Sequence, residues 1–229
     1  PECIKIVDAL GHLIHMNPAG LTMIEADSLD QVAGREILEL VAAEHRNAFA
    51  EMHKKVIAGE SMRQEFEVVG LKGGRRWLET HAVPMKDHGE TVHLAITRDV
   101  TERKQAEDKQ RLAATVFSHA REGILITSAD GTILDVNQMF SQITGYGREE
   151  VVGKNPHLLS SGRHEKSFYA AMWRELTENG NWAGEIWNRR KDGTIYPEML
   201  TVSAVRDPQG KTQQYVALFA DITDIKNHE

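Results

Sequence analysis

The chain has a single cysteine, Cys3, among 229 residues. An internal disulfide is excluded, and so is a zinc site built on cysteines alone. That usage fits a reducing compartment, and a cytoplasmic location is expected. Long apolar runs are also missing. The longest, such as residues 215–220, are strand-sized and fall far short of the roughly 18 residues that span a bilayer, so no membrane segment is expected in this stretch. There is no basic excess: 27 Lys and Arg stand against 34 Asp and Glu, a formal net charge of −7, and no basic run is long enough to track a phosphate backbone. Nucleic acid is set aside as a partner. The chain opens at Pro1 without Met or a signal peptide and is read as a piece of a longer protein.

Catalytic signatures are absent as well. No Gly-x-Ser-x-Gly elbow, P-loop or dinucleotide fingerprint occurs. The 11 histidines include no His-x-x-x-His or His-Glu-x-x-His pattern, and His12 and His15, three apart on an expected strand, face opposite sides. They read as solvated surface residues, with no metal site. The expectation is a non-catalytic regulatory fragment of a larger signalling enzyme.

What is present is an ordinary globular composition, 41% apolar with 18 glycines, at a length that suggests two domains. The chain is written twice. The run from Gly11 to Asn17 matches that from Gly131 to Asn137, Gly34 matches Gly153, Gly74 matches Gly193, and Asp99 with Thr101 matches Asp221 with Thr223, each about 120 residues apart. In the second copy Asp130 and Gly131 mark a hairpin between strands at 123–128 and 132–136. Phe168, Met172 and Leu176 recur at helical spacing up to a stop near Gly180. Strands are then expected at 182–190, 194–205 and 212–221. The first copy reads alike, with strands at 5–9, 13–16, 64–71, 75–85 and 91–99 and a helix near 46–58. Between the copies, 102–120 is rich in Lys, Gln, Glu and Ala and free of Gly and Pro, which makes it a helix; its stripe of Leu112, Val116 and Ala120 is available to bury against a domain or a partner helix.

These residues resemble tandem PAS sensor domains. The second copy carries the fuller signature: Asp135 with Asn137; Phe140, Gly145 and Tyr146; Glu149, Gly153 and Asn155; Trp182, Gly184 and Glu185; Asn188, Asp192 and Gly193; Asp221 and Thr223. The first copy is more diverged and is recognised from Asn17, Gly34, Glu44, Arg46, Asp99 and Thr101. The resemblance implies an α+β fold of two PAS domains in series, each a five-stranded antiparallel sheet whose concave face is closed by helices. Domain 1 is expected at 1–104, a helical linker at 105–120, domain 2 at 121–224, and the start of a truncated signalling helix at 225–229.

Function in this family depends on the pocket. In light-sensing flavin PAS domains a photoreactive cysteine follows the Gly-x-Asn segment, and here Pro156 stands there, so that photochemistry is excluded. His157, Ser160, Glu198 and Phe219 also replace residues of that flavin site, while Asn155 and Asn188 survive. The second copy is similar to redox-sensing flavin PAS domains of nitrogen-fixation and methane-oxidation regulators, and equally to cofactor-free PAS domains of cyclic-di-GMP enzymes. The first resemblance implies FAD in domain 2, with Trp182 stacked on the ring and Asn188 bonding its pyrimidine edge. Haem is the weaker option: the family's ligand position looks like Phe49, with His53 one turn on, and the second copy's long helix has no His. The resemblance further implies a homodimer, a small-molecule ligand or an empty dimerisation scaffold, and an output domain in the same chain, a diguanylate cyclase or phosphodiesterase ahead of a histidine kinase. Asp99 and Thr101, and Asp221 and Thr223, are expected to fix where each outgoing helix begins and to transmit the signal.

Overall fold

Each half of the chain alternates buried and exposed side chains along its strands, and each builds one antiparallel sheet. The computed structural model describes residues 1–228, and contacts divide the chain into two units, Pro1–Gln110 and the residues from Arg111 onward. Unit 1 contains β1 (Glu2–Val7), β2 (Leu13–Met16), α1 (Pro18–Met23), α2 (Arg46–Ile57), β3 (Met62–Val69), β4 (Arg75–Asp87) and β5 (Glu90–Asp99), in sheet order β2-β1-β5-β4-β3. Next comes α3 (Thr101–His119). Unit 2 contains β6 (Gly123–Ser128), β7 (Ile133–Val136), α4 (Gln138–Thr144), α5 (Arg148–Val151), α6 (Lys166–Asn179), β8 (Asn181–Arg189), β9 (Ile195–Arg206), β10 (Thr212–Asp221) and α7 (Thr223–Asn227), in order β7-β6-β10-β9-β8. The two sheets have one topology, as a duplicated unit requires. Of the expected terminal segment 225–229, Glu229 lies outside the described residues.

The repeated asparagine has a physical reason. Asn17 accepts from the Gly20 amide at 3.0 Å, capping α1, and from the Ile4 amide at 2.9 Å, while its own amide donates to the Glu2 carbonyl. Asn137 does the same with Phe140, Ile124 and Glu122. One side chain thus ties a helix start to the first strand in each unit. The first strand ends at Val7 rather than Ala9, because the Asp8 carboxylate accepts the Leu10 and His12 amides and turns the chain. Gly180, at φ 79°, ends α6 as the spacing predicts. The stripe on α3 is uncovered: Leu112 and Val116 are 64% and 61% exposed.

The concave face of unit 1 is filled. Phe49 from α2 and Phe66 from β3 meet edge to face at 5.0 Å, and the residual void beside them is about 10 Å³. Two histidines are buried with them. His53 Nε2 faces the Ala9 carbonyl at 3.2 Å and must donate to it, so its Nδ1 accepts from His93 Nδ1 at 2.9 Å. That leaves His93 Nε2 without a partner among the described residues. Burial first, then the Lys5 and His53 charges, push His93 down to about 3. The unfolded chain therefore takes up this proton at higher pH than the folded one. The stability is complete above about pH 6.5 and is lost as pH falls toward 3, at about 1.4 kcal/mol per pH unit. Urea unfolding followed at Trp77 should show the midpoint dropping between pH 7 and 5, and His93→Phe should flatten that slope.

Candidate functional site

The concave face of unit 2 is hollow. A cavity of about 220 Å³ lies between the sheet and α6, larger than the roughly 150 Å³ engineered cavity that takes up benzene. Strand periodicity decides what faces it: Ile186 and Asn188 from β8, Glu198, Leu200 and Val202 from β9, Ala217 and Phe219 from β10. Tyr169, Met172 and Leu176 close it from α6, and Asn155 and His157 stand at its rim.

One end of this apolar cavity is polar. Glu198 is 2% exposed; its Oε1 accepts from Asn188 Nδ2 at 2.8 Å and its Oε2 from the Tyr196 hydroxyl at 2.7 Å. The three meet because Asn188 and Tyr196 are register partners and Tyr196 and Glu198 are two apart on β9. Burial pushes Glu198 up to about 7, against the pull of the two hydrogen bonds. Burial and the neighbouring carboxylate likewise raise the Tyr196 hydroxyl.

The polar end continues outward. The Arg190 guanidinium lies 4.0 Å over the Tyr196 ring and donates to Asp221 Oδ2 at 2.5 Å. Asp221 pairs with Glu198 across the ladder. Its Oδ1 accepts from the Thr223 amide at 2.9 Å and the Thr223 hydroxyl at 2.5 Å, at the start of α7. Burial raises the Asp221 carboxyl, but Thr223 and Arg190 together bring it below the usual range. Unit 1 repeats the device: Asp99 accepts from the Thr101 amide and hydroxyl at 2.9 and 2.6 Å and from Arg76 at 3.0 Å. In both units the aspartate accepts the helix amide, and the threonine hydroxyl donates to that aspartate.

Of the residues singled out in the sequence, the structure brings Asn155, His157, Asn188, Glu198 and Phe219 to the cavity. Asn155 also spends its Oδ1 on the His157 amide, capping the short turn Pro156–Leu159. Trp182 is placed elsewhere: its indole covers Gly184, where a Cβ would come within 2.8 Å, and meets the edge of Phe168. It buttresses α6, and the α6 rings that line the cavity are Tyr169 and Trp173. Tyr196 and Arg190 were not among the expected site residues; the i, i+2 spacing of Tyr196 and Glu198 was the available signal. In unit 1, Phe49 is fully buried in packed side chains and both ring nitrogens of His53 are engaged. Among the described residues Glu44, His45 and Glu67 bring ligand atoms within 4.8 Å of one another, yet Arg75 already bridges the two carboxylates, at 2.6 and 2.8 Å.

A folded pKa near 7 for Glu198, above the ordinary 4.5, means this group favours folding at low pH and costs stability as pH rises from about 4.5 through 7. Glu198→Gln should raise the melting temperature of unit 2 at pH 8, by a gain on the order of 2 kcal/mol, and the gain should shrink toward pH 5. Calorimetry at the two pH values checks this. Asp221→Ala should cost about 1–2 kcal/mol, through the lost cap and the lost Arg190 partner, and a denaturation series reads that loss.

Comparison with known proteins agrees with this architecture. The family described as "PAS domain" matches residues 121–224, and that described as "PAS fold" matches residues 1–105. The chain is 32% identical over 109 residues to the nitrogen fixation regulatory protein of Klebsiella oxytoca, covering 48% of this chain and 22% of that protein. It is 32% identical over 104 residues to a blue-light photoreceptor of Listeria monocytogenes, covering 44% of this chain and 41% of that protein. It therefore spans less than half the length of these relatives. A solved PAS domain from Colwellia psychrerythraea aligns at 24% identity with a TM-score of 0.47, covering 51% of this chain and 97% of that one. The chain belongs to the PAS family and consists of two PAS domains in series.

Proposed function

We propose that this chain is the sensory part of a signalling protein, in which the second PAS domain binds a small molecule and the outgoing helices pass the response to an output domain in the same protein. The observation that carries this reading is the contrast between the two concave faces. One is packed to a void of about 10 Å³, and the other keeps about 220 Å³ with a buried carboxyl at one end. A small domain that leaves so much apolar surface unfilled forgoes packing energy, and a ligand would restore it. The output domain we assign by resemblance is a diguanylate cyclase or phosphodiesterase, with a histidine kinase as the alternative, and the sensor acts as a homodimer. Exposed Ile4 and Ile96, paired on the outer face of the first sheet, and Met199 and Leu218 on the second, support association. No helix among the described residues is long and apolar enough to cross a membrane, which is consistent with a cytoplasmic sensor.

A second reading makes the ligand FAD. It is supported by Asn155 and Asn188 at the cavity and by the match to a nitrogen fixation regulatory protein. These residues fit a flavin: Asn188 and Glu198 would hold its hydrogen-bonding edge, Asn155 and His157 would meet it at the rim, and Tyr169 and Met172 would cover the ring. A bound flavin would supply redox responsiveness. Cysteinyl photoadduct chemistry has no partner here, since Pro156 occupies the position and Cys3 belongs to the other domain.

An absorption spectrum of the freshly purified chain, with mass analysis of whatever denaturation releases, separates the readings. Flavin bands with released FAD establish the second. A colourless chain whose second unit is stabilised by an added aromatic such as toluene, by about 2.7 kcal/mol at a hundredfold excess over Kd, supports the first alone. A colourless chain that no added FAD or aromatic stabilises overturns both and leaves a dimerisation scaffold.

A further inference from the structure

Cys3, Lys5 and Val7 point into the core of unit 1, because strand residues two apart share a face. Lys5 is 3% exposed, and lysines buried so deeply ordinarily have a carboxylate partner. Lys5 has no hydrogen bond and no ion pair among the described residues; its Nζ rests over the rings of Phe49 and Phe66, 5.7 and 5.3 Å from their centroids. Cys3 is 2% exposed, and its Sγ presses on Gly20, where a Cβ would come within 2.5 Å of the sulfur. Both side chains line one small void of about 10 Å³, close to the lower limit for a single water-sized molecule. Cys3 and Lys5 sit two apart on one face of β1, roughly 7 Å along the strand, a span comparable to an extended lysine side chain, and each group's charge acts on the other.

We propose that Cys3 and Lys5 form a peroxide-responsive pair: hydrogen peroxide oxidises the Cys3 thiol, and the Lys5 amine captures the oxidised sulfur in a covalent Sγ–Nζ bond. In the first step the thiol and H2O2 give a sulfenic acid and water; the O–O bond breaks, sulfur loses two electrons and the peroxide is reduced. In the second, the Nζ lone pair attacks sulfur, the S–O bond breaks, and the hydroxyl leaves with an amine proton as water. Two equivalents of a thiol reverse the link, regenerating Cys3 and Lys5 and becoming a disulfide themselves. Burial shapes both halves. It holds Lys5 below the usual lysine range, which frees the amine lone pair, and it holds the Cys3 thiol above its own, which makes the first step slow and restricts it to an oxidant small enough to enter. The link would draw Nζ off Phe49 and Phe66, the two rings that fill this concave face.

The test uses the full chain, treated with hydrogen peroxide and quenched in denaturant containing dimedone. Cleavage before Asp8 releases residues 1–7, which hold both partners and no methionine. The native chain should yield this peptide about 2 Da lighter, restored by dithiothreitol and free of dimedone. Lys5→Met keeps the bulk without the nucleophile, and its peptide should carry the dimedone adduct instead. Should Lys5→Met fail to fold, Lys5→Arg, whose guanidinium stays protonated, serves the same comparison. Dimedone adduct in the native chain at the level of these variants, or a thiol unchanged by peroxide, overturns the proposal.

Discussion

A twisted five-stranded antiparallel sheet has a concave face that must be removed from water, and how that face is covered governs the rest of this molecule. Both units set the same elements over it: a helix tied to the first strand by an asparagine, short turns, and one longer helix. They differ in what the side chains do there. Phe49, fully buried, drives from α2 against Phe66 and closes the first face. In the second, α6 contributes Tyr169, Met172 and Leu176 to a wall, with the space between wall and sheet left open. Duplicated domains with one topology thus arrive at a packed core in one unit and a hollow one in the other.

The open cavity carries an electrostatic cost. Glu198 is a buried carboxyl with two neutral donors, and burial holds its proton more tightly against the pull of those donors. Its second donor, Tyr196, lies beneath Arg190, which pairs with Asp221, which caps α7 through Thr223. The chain of contacts from cavity to outgoing helix is therefore continuous and short. It runs mostly through polar and charged groups. The first unit keeps the outer half of this chain, Arg76 to Asp99 to Thr101, without a buried carboxyl behind it.

Much of this was legible from spacing. The internal repeat, the order of strands and helices in each copy, the Asp130 and Gly131 hairpin and the Gly180 stop all follow from period, turn chemistry and glycine placement. Trp182 shows the limit. The family resemblance placed it over a flavin ring, but the missing side chain of Gly184 lets the indole lie along the strand toward Phe168, a lean that the pattern of residues does not encode. The first strand also stops two residues early, since Asp8 satisfies its own backbone neighbours before the ladder can.

Fold class, duplication and which strand positions face inward were thus determined by the sequence alone, because they depend on local conformational preference and on periodicity that every residue in a run reinforces. Tertiary structure decided that the second concave face stays hollow while the first closes, that Glu198 is buried among neutral donors, and that Lys5 sits beside Cys3 with no ion pair among the described residues. Each of those depends on the volume and charge of side chains distant in sequence meeting at one place, and packing of that kind has no period to read.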